Sequence, residues 1–552
     1  MDEVRVCCGA RAPDGARGQP PRPRTAAPPA AGRDAEGDLA PGRGSDPRLA
    51  VNLGSNAAYF VLSTLLMLWY VPFLVRHLGV AAYGMVPLAH SLVMYAVVVS
   101  DGLQTAIYCH LAIHLNRGDG PAAQRTFDAA ALLTLAACAL LAVPFAGFTM
   151  VLPRVLDVPP HLAGATQFLF AGTALAMTGG ILSGLFGTPS VVLHRFDLRN
   201  IARGAALATR VGVPALCFAL WPASLWHVGL GLVASVLVGL ACEILVWRRL
   251  TPGLRFAPQA AERKAMRPLL GLGGWSSANM LGCMVLMQSD LVLVNLLFGP
   301  ETTGRYGALL LFPVLIHATA ETVVPVLSPM IMARYAAGDT RAVRDLVTRS
   351  VRLLAVGLAL PAGLLCGLGG PALALWLGPE AAAMGTVLAL LVGHLAVNLA
   401  LRPVAYVLTA YGRMRAQALV TLALGVAYLP LAVILARWAG WGVAGVAAAG
   451  ALVWTAKNAG FLTLLCAPAL GMRWRDLGRP ALGGAVGVAA LWLAGHLVLA
   501  LWPSPGWFGL AGLAALLSLA YAPLAWTLLD PADRTLARGL LARLQPRKAL
   551  PC

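Results

Sequence analysis

The stretch WSSANMLGCMVLMQSDLVLVNLLFG, residues 275–299, is apolar over the length of a bilayer crossing, yet it carries Asp290 in its second half. A membrane helix needs about 20 mostly apolar residues, and a charge at bilayer depth costs roughly 2.5–3.5 kcal/mol on insertion scales. Either Asp290 faces a protein interior or a wet cavity, or the run is not a span. Composition decides between these. Of 552 residues, 59% are hydrophobic and only 12% are charged, and the mean hydropathy is +0.75. A soluble domain carries about 25% charged residues. So little charge cannot cover a surface in water, but it suffices for a surface in lipid. Barrel-type alternation is absent, and helices satisfy their own backbone hydrogen bonds in lipid. The reading is an all-α membrane protein.

Working outward, residues 1–50 are rich in Pro, Arg, Gly and Ala and read as a disordered cytoplasmic tail. Fourteen apolar runs follow, the seventh at 271–298, the eighth at 306–333 and the twelfth at 441–465. They group as an N-lobe at 51–247, a cytoplasmic linker at 248–268, a C-lobe at 269–465 and a helix pair at 480–529. A basic cytoplasmic tail, 530–552, follows, with Leu536, Leu540 and Leu544 on one stripe that suits a helix lying on the membrane surface.

Lys and Arg set the orientation. Among the 41 of them, only Arg76, Arg154, Arg305 and Arg437 fall in the odd-numbered loops, and only Arg210, Arg402 and Lys457 fall inside runs. All others lie in the tails and even-numbered loops, which puts both termini in the cytoplasm. The net charge of +18 is thus a topology signal and requires no nucleic-acid partner. The ten cysteines form no metal or disulfide spacing, and no phosphate-cradling Gly loop or nucleophile–base set appears, so an enzyme is not expected.

The two lobes repeat one another. Asn56, Gly79, Tyr83-Gly84 and Gly118-Asp119 match Asn279, Gly299, Tyr306-Gly307 and Gly338-Asp339. Two six-helix lobes related by an internal repeat form an architecture of alternating-access transporters.

Buried polar residues are the candidate site. Arg402 lies nine residues before Tyr411, ~13 Å along a helix, near the midplane. Arg210 lies nearer the cytoplasm, and Lys457 is about as deep as Arg402. Each either contacts an anionic substrate or pairs with Glu243, Asp290 or Glu321. Asp290, close to Gln288, is equally deep. His317 and Glu321, at i and i+4, share a helix face. A midplane carboxylate can carry a proton or Na⁺, the only cofactor-like ions expected, or can sit in an interhelical hydrogen bond. His90 and His394 read as packing or polar-lining residues, and tyrosines within the runs as interfacial belts and packing.

The segments LVRHLGVAAYGMVPLA, HRFDLRN (194–200) and MQSDLVLVNLLFGPETTGRYGALL resemble the bacterial polysaccharide-biosynthesis flippases, within the superfamily that includes multidrug and toxin extruders. The resemblance spans roughly residues 51–470. It implies a multi-pass inner-membrane protein that translocates undecaprenyl-diphosphate-linked oligosaccharide by ion-coupled alternating access. Expected partners are that lipid, membrane lipids, and a glycan polymerase or glycosyltransferases of the pathway. Arg210, Arg402 and Lys457 would meet the diphosphate, with Asn279 and His110 as further substrate contacts; Asp290, His317 and Glu321 would carry the coupling ion. Where such proteins often carry Arg late in the second helix, this chain has Cys109, with His110 beside it. The alternatives are a cation-coupled multidrug or toxin antiporter, which predicts a more acidic and aromatic cavity, and a peptidoglycan-precursor flippase. A glycan polymerase or ligase would need a large extracytoplasmic loop.

Overall fold

The computed structural model describes residues 47–270, 274–502, 506–535 and Arg538. Among these, the regular elements are all helical. The N-lobe comprises α1 (Pro47–Leu78), α2 (Val80–Met94), α3 (Val97–Asn116), α4 (Gly120–Val155), α5 (Ala163–Val192), α6 (Phe196–Leu220) and α7 (Leu225–Leu250). The short α8 (Arg263–Leu270) leads to the C-lobe: α9 (Gly274–Leu309), α10 (Leu311–Ala336), α11 (Thr340–Leu377), α12 (Gly385–Gly393), α13 (Leu395–Asn398), α14 (Arg402–Ala410), α15 (Met414–Val433), α16 (Val443–Thr455) and α17 (Thr463–Cys466). After α18 (Trp474–Gly478), α19 (Leu482–Leu501) and α20 (Trp507–Leu528) complete the bundle. Helix α1 already begins at Pro47, so it takes in the last residues of the expected tail. The rest of that tail, residues 271–273 at the start of the seventh run, and the stripe Leu536, Leu540 and Leu544 lie outside the described residues.

Eleven helical stretches among the described residues are long and apolar enough to cross a membrane, or twelve if the pair α2–α3, bent by 54°, is one span. This count does not reach the expected fourteen. The seventh and eighth runs fall in one 62-residue stretch, Trp275–Ala336, which bends at Gly299. The twelfth run is interrupted by a π-helix at Ala456–Leu462. The outer surface is apolar: Phe508 is 96% exposed and Leu501 88%. Such a surface belongs in lipid rather than water.

Breaks in the backbone repeat at a spacing of 220 residues. Gly79 (φ 82°) matches Gly299 (φ 81°), and Gly118 (φ 69°) matches Gly338 (φ 72°). A positive φ is open to glycine without steric cost, which is why these four positions are glycine. The Asp119 carboxylate accepts from Ala122 N at 3.0 Å and that of Asp339 from Ala342 N at 2.8 Å, so α4 and α11 begin with the same N-cap. The spacing corrects one sequence match. Gly84 corresponds to Gly304, not Gly307. These two touch: a Cβ on Gly84 would come 2.6 Å from Gly304 N, and one on Gly304 2.0 Å from Val80 O. A residue in contact with its own repeat mate lies beside the axis relating the lobes.

The lobes are held together from mid-helix to the Gly79–Gly299 end. Tyr95 Oη and Ser289 Oγ are 2.6 Å apart. Asp157 N donates to Asn295 Oδ1 at 3.0 Å, and Trp376 Nε1 donates to Leu68 O at 2.7 Å. Beyond α20, Asp533 is 1% exposed and docks on α11. Its Oδ2 accepts from Arg352 Nη1 at 2.7 Å, and Arg349 Nε stands 2.6 Å from its Oδ1 as an ion pair.

Candidate functional site

A cavity of about 310 Å³ lies between the lobes. From the N-lobe, α1 supplies Tyr70, α2 supplies Tyr83 and His90, and α6 supplies Arg210. From the C-lobe come Gln288 and Asp290 of α9, Tyr306 beyond its bend, His317 of α10, His394 before α13, Tyr428 of α15 and Trp454 of α16. The intervening walls are mostly leucine, valine, methionine and proline, with Ser91 and a few alanines and glycines.

Each polar group here has a local reason for its place. Asp290 is half-buried. Its Oδ1 accepts from Leu291 N at 2.8 Å and its Oδ2 from the Tyr306 hydroxyl at 3.1 Å. The bend at Gly299 folds the chain back so that Tyr306, sixteen residues on, reaches Asp290. A mid-membrane carboxylate is thus kept off the lipid, facing a cavity with a hydroxyl donor. His317 Nδ1 is 2.9 Å from Pro313 O. His394 Nδ1 meets Asn398 Nδ2 at 2.8 Å, and Asn398 also reaches Thr455 and Asn458. The buried hydroxyls of Tyr70 and Tyr428 find no hydrogen-bond partner among the described residues, and both residues line the cavity. Arg210 has no side-chain ion pair among the described residues. A lone guanidinium and two idle hydroxyls can take up an anionic, hydroxyl-rich ligand, because buried polar groups without partners are costly.

The expected site residues divide. Arg210, Asp290 and His317 come together on the cavity wall. Arg402 instead forms an ion pair with Glu321, which is 45% exposed, and neither lines that cavity. Lys457 is 5% exposed, and its amine lies 4.4 Å from the ring centre of Trp454, a cavity wall residue. Asn279 on α9 keeps a buried Oδ1 without a partner among the described residues, and like His110 on α3 it lies outside the lining. The cavity tyrosines were missed as a site. For Tyr70 and Tyr428, placement well inside their helices, away from the belts where interfacial tyrosines sit, is the signal that marks them.

The chain matches the family described as polysaccharide biosynthesis protein over residues 49–332. It is 30% identical over 418 residues to the uncharacterized membrane protein EpsK of Bacillus subtilis (strain 168), covering 76% of this chain and 83% of EpsK. Among solved structures, an inward-facing multidrug resistance MATE family transporter of the MOP superfamily aligns with a TM-score of 0.59 at 12% identity, over 78% of this chain and 95% of that one. The lipid II flippase MurJ in an inward closed conformation aligns with a TM-score of 0.58 at 10% identity, over 85% and 98%. These two share the fold. By its match over half its length and its likeness to EpsK, the chain belongs to the polysaccharide biosynthesis protein family.

Proposed function

We propose that the protein is an inner-membrane flippase for undecaprenyl-diphosphate-linked oligosaccharide, working by alternating access and driven by a proton or Na⁺ gradient. Arg210 carries the reading: a guanidinium without an acidic partner among the described residues, on the wall of a cavity that also offers the idle hydroxyls of Tyr70 and Tyr428. Charge-assisted bonds to phosphate are roughly twice as strong as neutral ones, and sugars need hydroxyl partners. The apolar remainder of the wall suits the start of a prenyl tail. The excess of Lys and Arg at the Gly118–Gly338 end supports a cytoplasmic position for that end. The joined end then faces outward, and the substrate approaches from the inner leaflet. At 310 Å³ the cavity is drug-sized, so a sugar head group passes only after the lobes part. Glycosyltransferases supply the substrate and a polymerase consumes it.

One observation favours a second reading. Four tyrosines, a tryptophan and Asp290 around one cavity also suit an organic cation, as in a multidrug antiporter. The test is surface glycan in a strain lacking the native protein, at equal membrane abundance. Arg210→Lys should retain part of the glycan. Arg210→Gln should retain little, with lipid-linked oligosaccharide building up in the inner leaflet. Normal glycan in Arg210→Gln overturns the site. Drug efflux without glycan export by the intact protein overturns the flippase reading.

A further inference from the structure

The N-lobe holds a second, partly open cavity, of about 660 Å³, bordered by α3, α5, α6 and α7. Arg199 and Arg203 open into it from the first turns of α6. Arg210, on the wall of the central cavity, follows on the same helix. Steps of four and seven residues keep one helix face, so the three guanidiniums form a single stripe about 16 Å long. The lower two belong to the N-lobe cavity and the upper one to the central cavity.

Across from the lower pair stands Glu243 of α7. It is 7% exposed, and its Oε2 has no hydrogen-bond partner among the described residues. The carboxylate lies against Gly187, where a Cβ would come 3.1 Å from Oε2, so a larger residue there would displace it. Glu243 is not within ion-pair distance of either arginine among the described residues, and neither arginine has another such partner there. Two cations and a buried carboxylate held apart around open volume leave room for a ligand between them. Gln104 and Ser235 add uncharged polar groups to the wall.

We propose that this cavity is a separate docking site for a phosphorylated sugar head group. The phosphoanion bridges Arg199 and Arg203, and a sugar hydroxyl donates to Glu243. The like charge of Glu243 keeps the phosphate weakly held, so the head group can leave along the α6 stripe toward Arg210. This rests on the flippase reading for the identity of the ligand as a lipid-linked one, but the phosphate site stands on its own residues.

The test is calorimetric titration of the full-length protein in detergent with inorganic pyrophosphate and, separately, with a short prenyl diphosphate. Arg199→Gln with Arg203→Gln should weaken both by about tenfold or more, as expected for lost charged hydrogen bonds, while Arg199→Lys with Arg203→Lys retains part. Glu243→Gln should tighten pyrophosphate severalfold, because a like charge is removed. Arg210→Gln, which removes the central-cavity contact, should stop glycan export and leave one class of pyrophosphate site, the one that the double Gln variant weakens. Unchanged affinity in the double Gln variant overturns the site. Weaker binding in Glu243→Gln, with an unchanged melting temperature, overturns the role of Glu243. Pyrophosphate binding without any prenyl diphosphate binding overturns the lipid head group as ligand in favour of free phosphates. If the site binds both but the intact protein exports no glycan, the flippase reading fails and the docking site stands.

Discussion

At the residue scale the informative group is Asp290. A carboxylate at this depth is kept only where something solvates it, and here Tyr306 and the Leu291 amide do so at the edge of a cavity. Its position was legible in the sequence because one charge in a long apolar run is conspicuous. Its partner was not, because Tyr306 reaches it only through the bend at Gly299. Arg402 differs: spacing gave its depth and left Glu321 among its possible partners, and the fold brings that carboxylate to it from another helix. If Asp290 carries the coupling ion, Asp290→Asn should leave membrane abundance unchanged and remove the response of transport to ΔpH or Na⁺ in reconstituted vesicles. Tyr306→Phe should keep that response at a rate lower by roughly tenfold, about 1.4 kcal/mol for one hydrogen bond to a charged group. Wild-type transport that ignores both gradients would remove the coupling role.

At the scale of elements, the decisive contact is between α2 and α9. Gly84 and Gly304 let two backbones approach, and Gly307 does the same against Pro87, whose Cγ would lie 2.5 Å from an added Cβ. Small residues at membrane helix interfaces permit this close packing. The repeat itself was legible from its turn glycines and capping aspartates, since each answers a local backbone demand. The register was not, because two Tyr-Gly pairs look alike in sequence although they lie three residues out of step in space. The obstacle to Gly304→Ala is the backbone of Val80, which cannot rotate away, so this change should separate the lobes at the Gly79–Gly299 end. Spin labels at Asp157 and Glu380, one on each lobe and both exposed, should then report a longer distance distribution than in the parent, together with reduced export. An unchanged distribution would show that the zipper does not hold this state closed.

For the whole molecule, sidedness decides which way the cavity opens. Cations hold back the loop that carries them during insertion, so an uneven Lys and Arg distribution is a statement about orientation that no packing argument supplies. Helix packing is blind to it, since the same bundle fits a membrane either way up. The loops at the joined end carry few cations, and Arg305 there is occupied by Glu301 and Glu380, each at 2.9 Å. The opposite end carries Arg117, Arg195, Arg199, Arg203, Arg334 and Arg413 among others. Single cysteines placed at Asp157, Glu301 and Glu380 in a Cys-free background should therefore react with an impermeant thiol reagent in intact cells. Cysteines at Gly120, Ala260 and Thr340 should react only after permeabilisation. All six positions are exposed, so failure to label reports the side of the membrane rather than burial. Labelling of the second set from outside would invert the protein, turn the joined end toward the cytoplasm, and make the α6 arginines accessible from the wrong leaflet for a substrate built inside the cell.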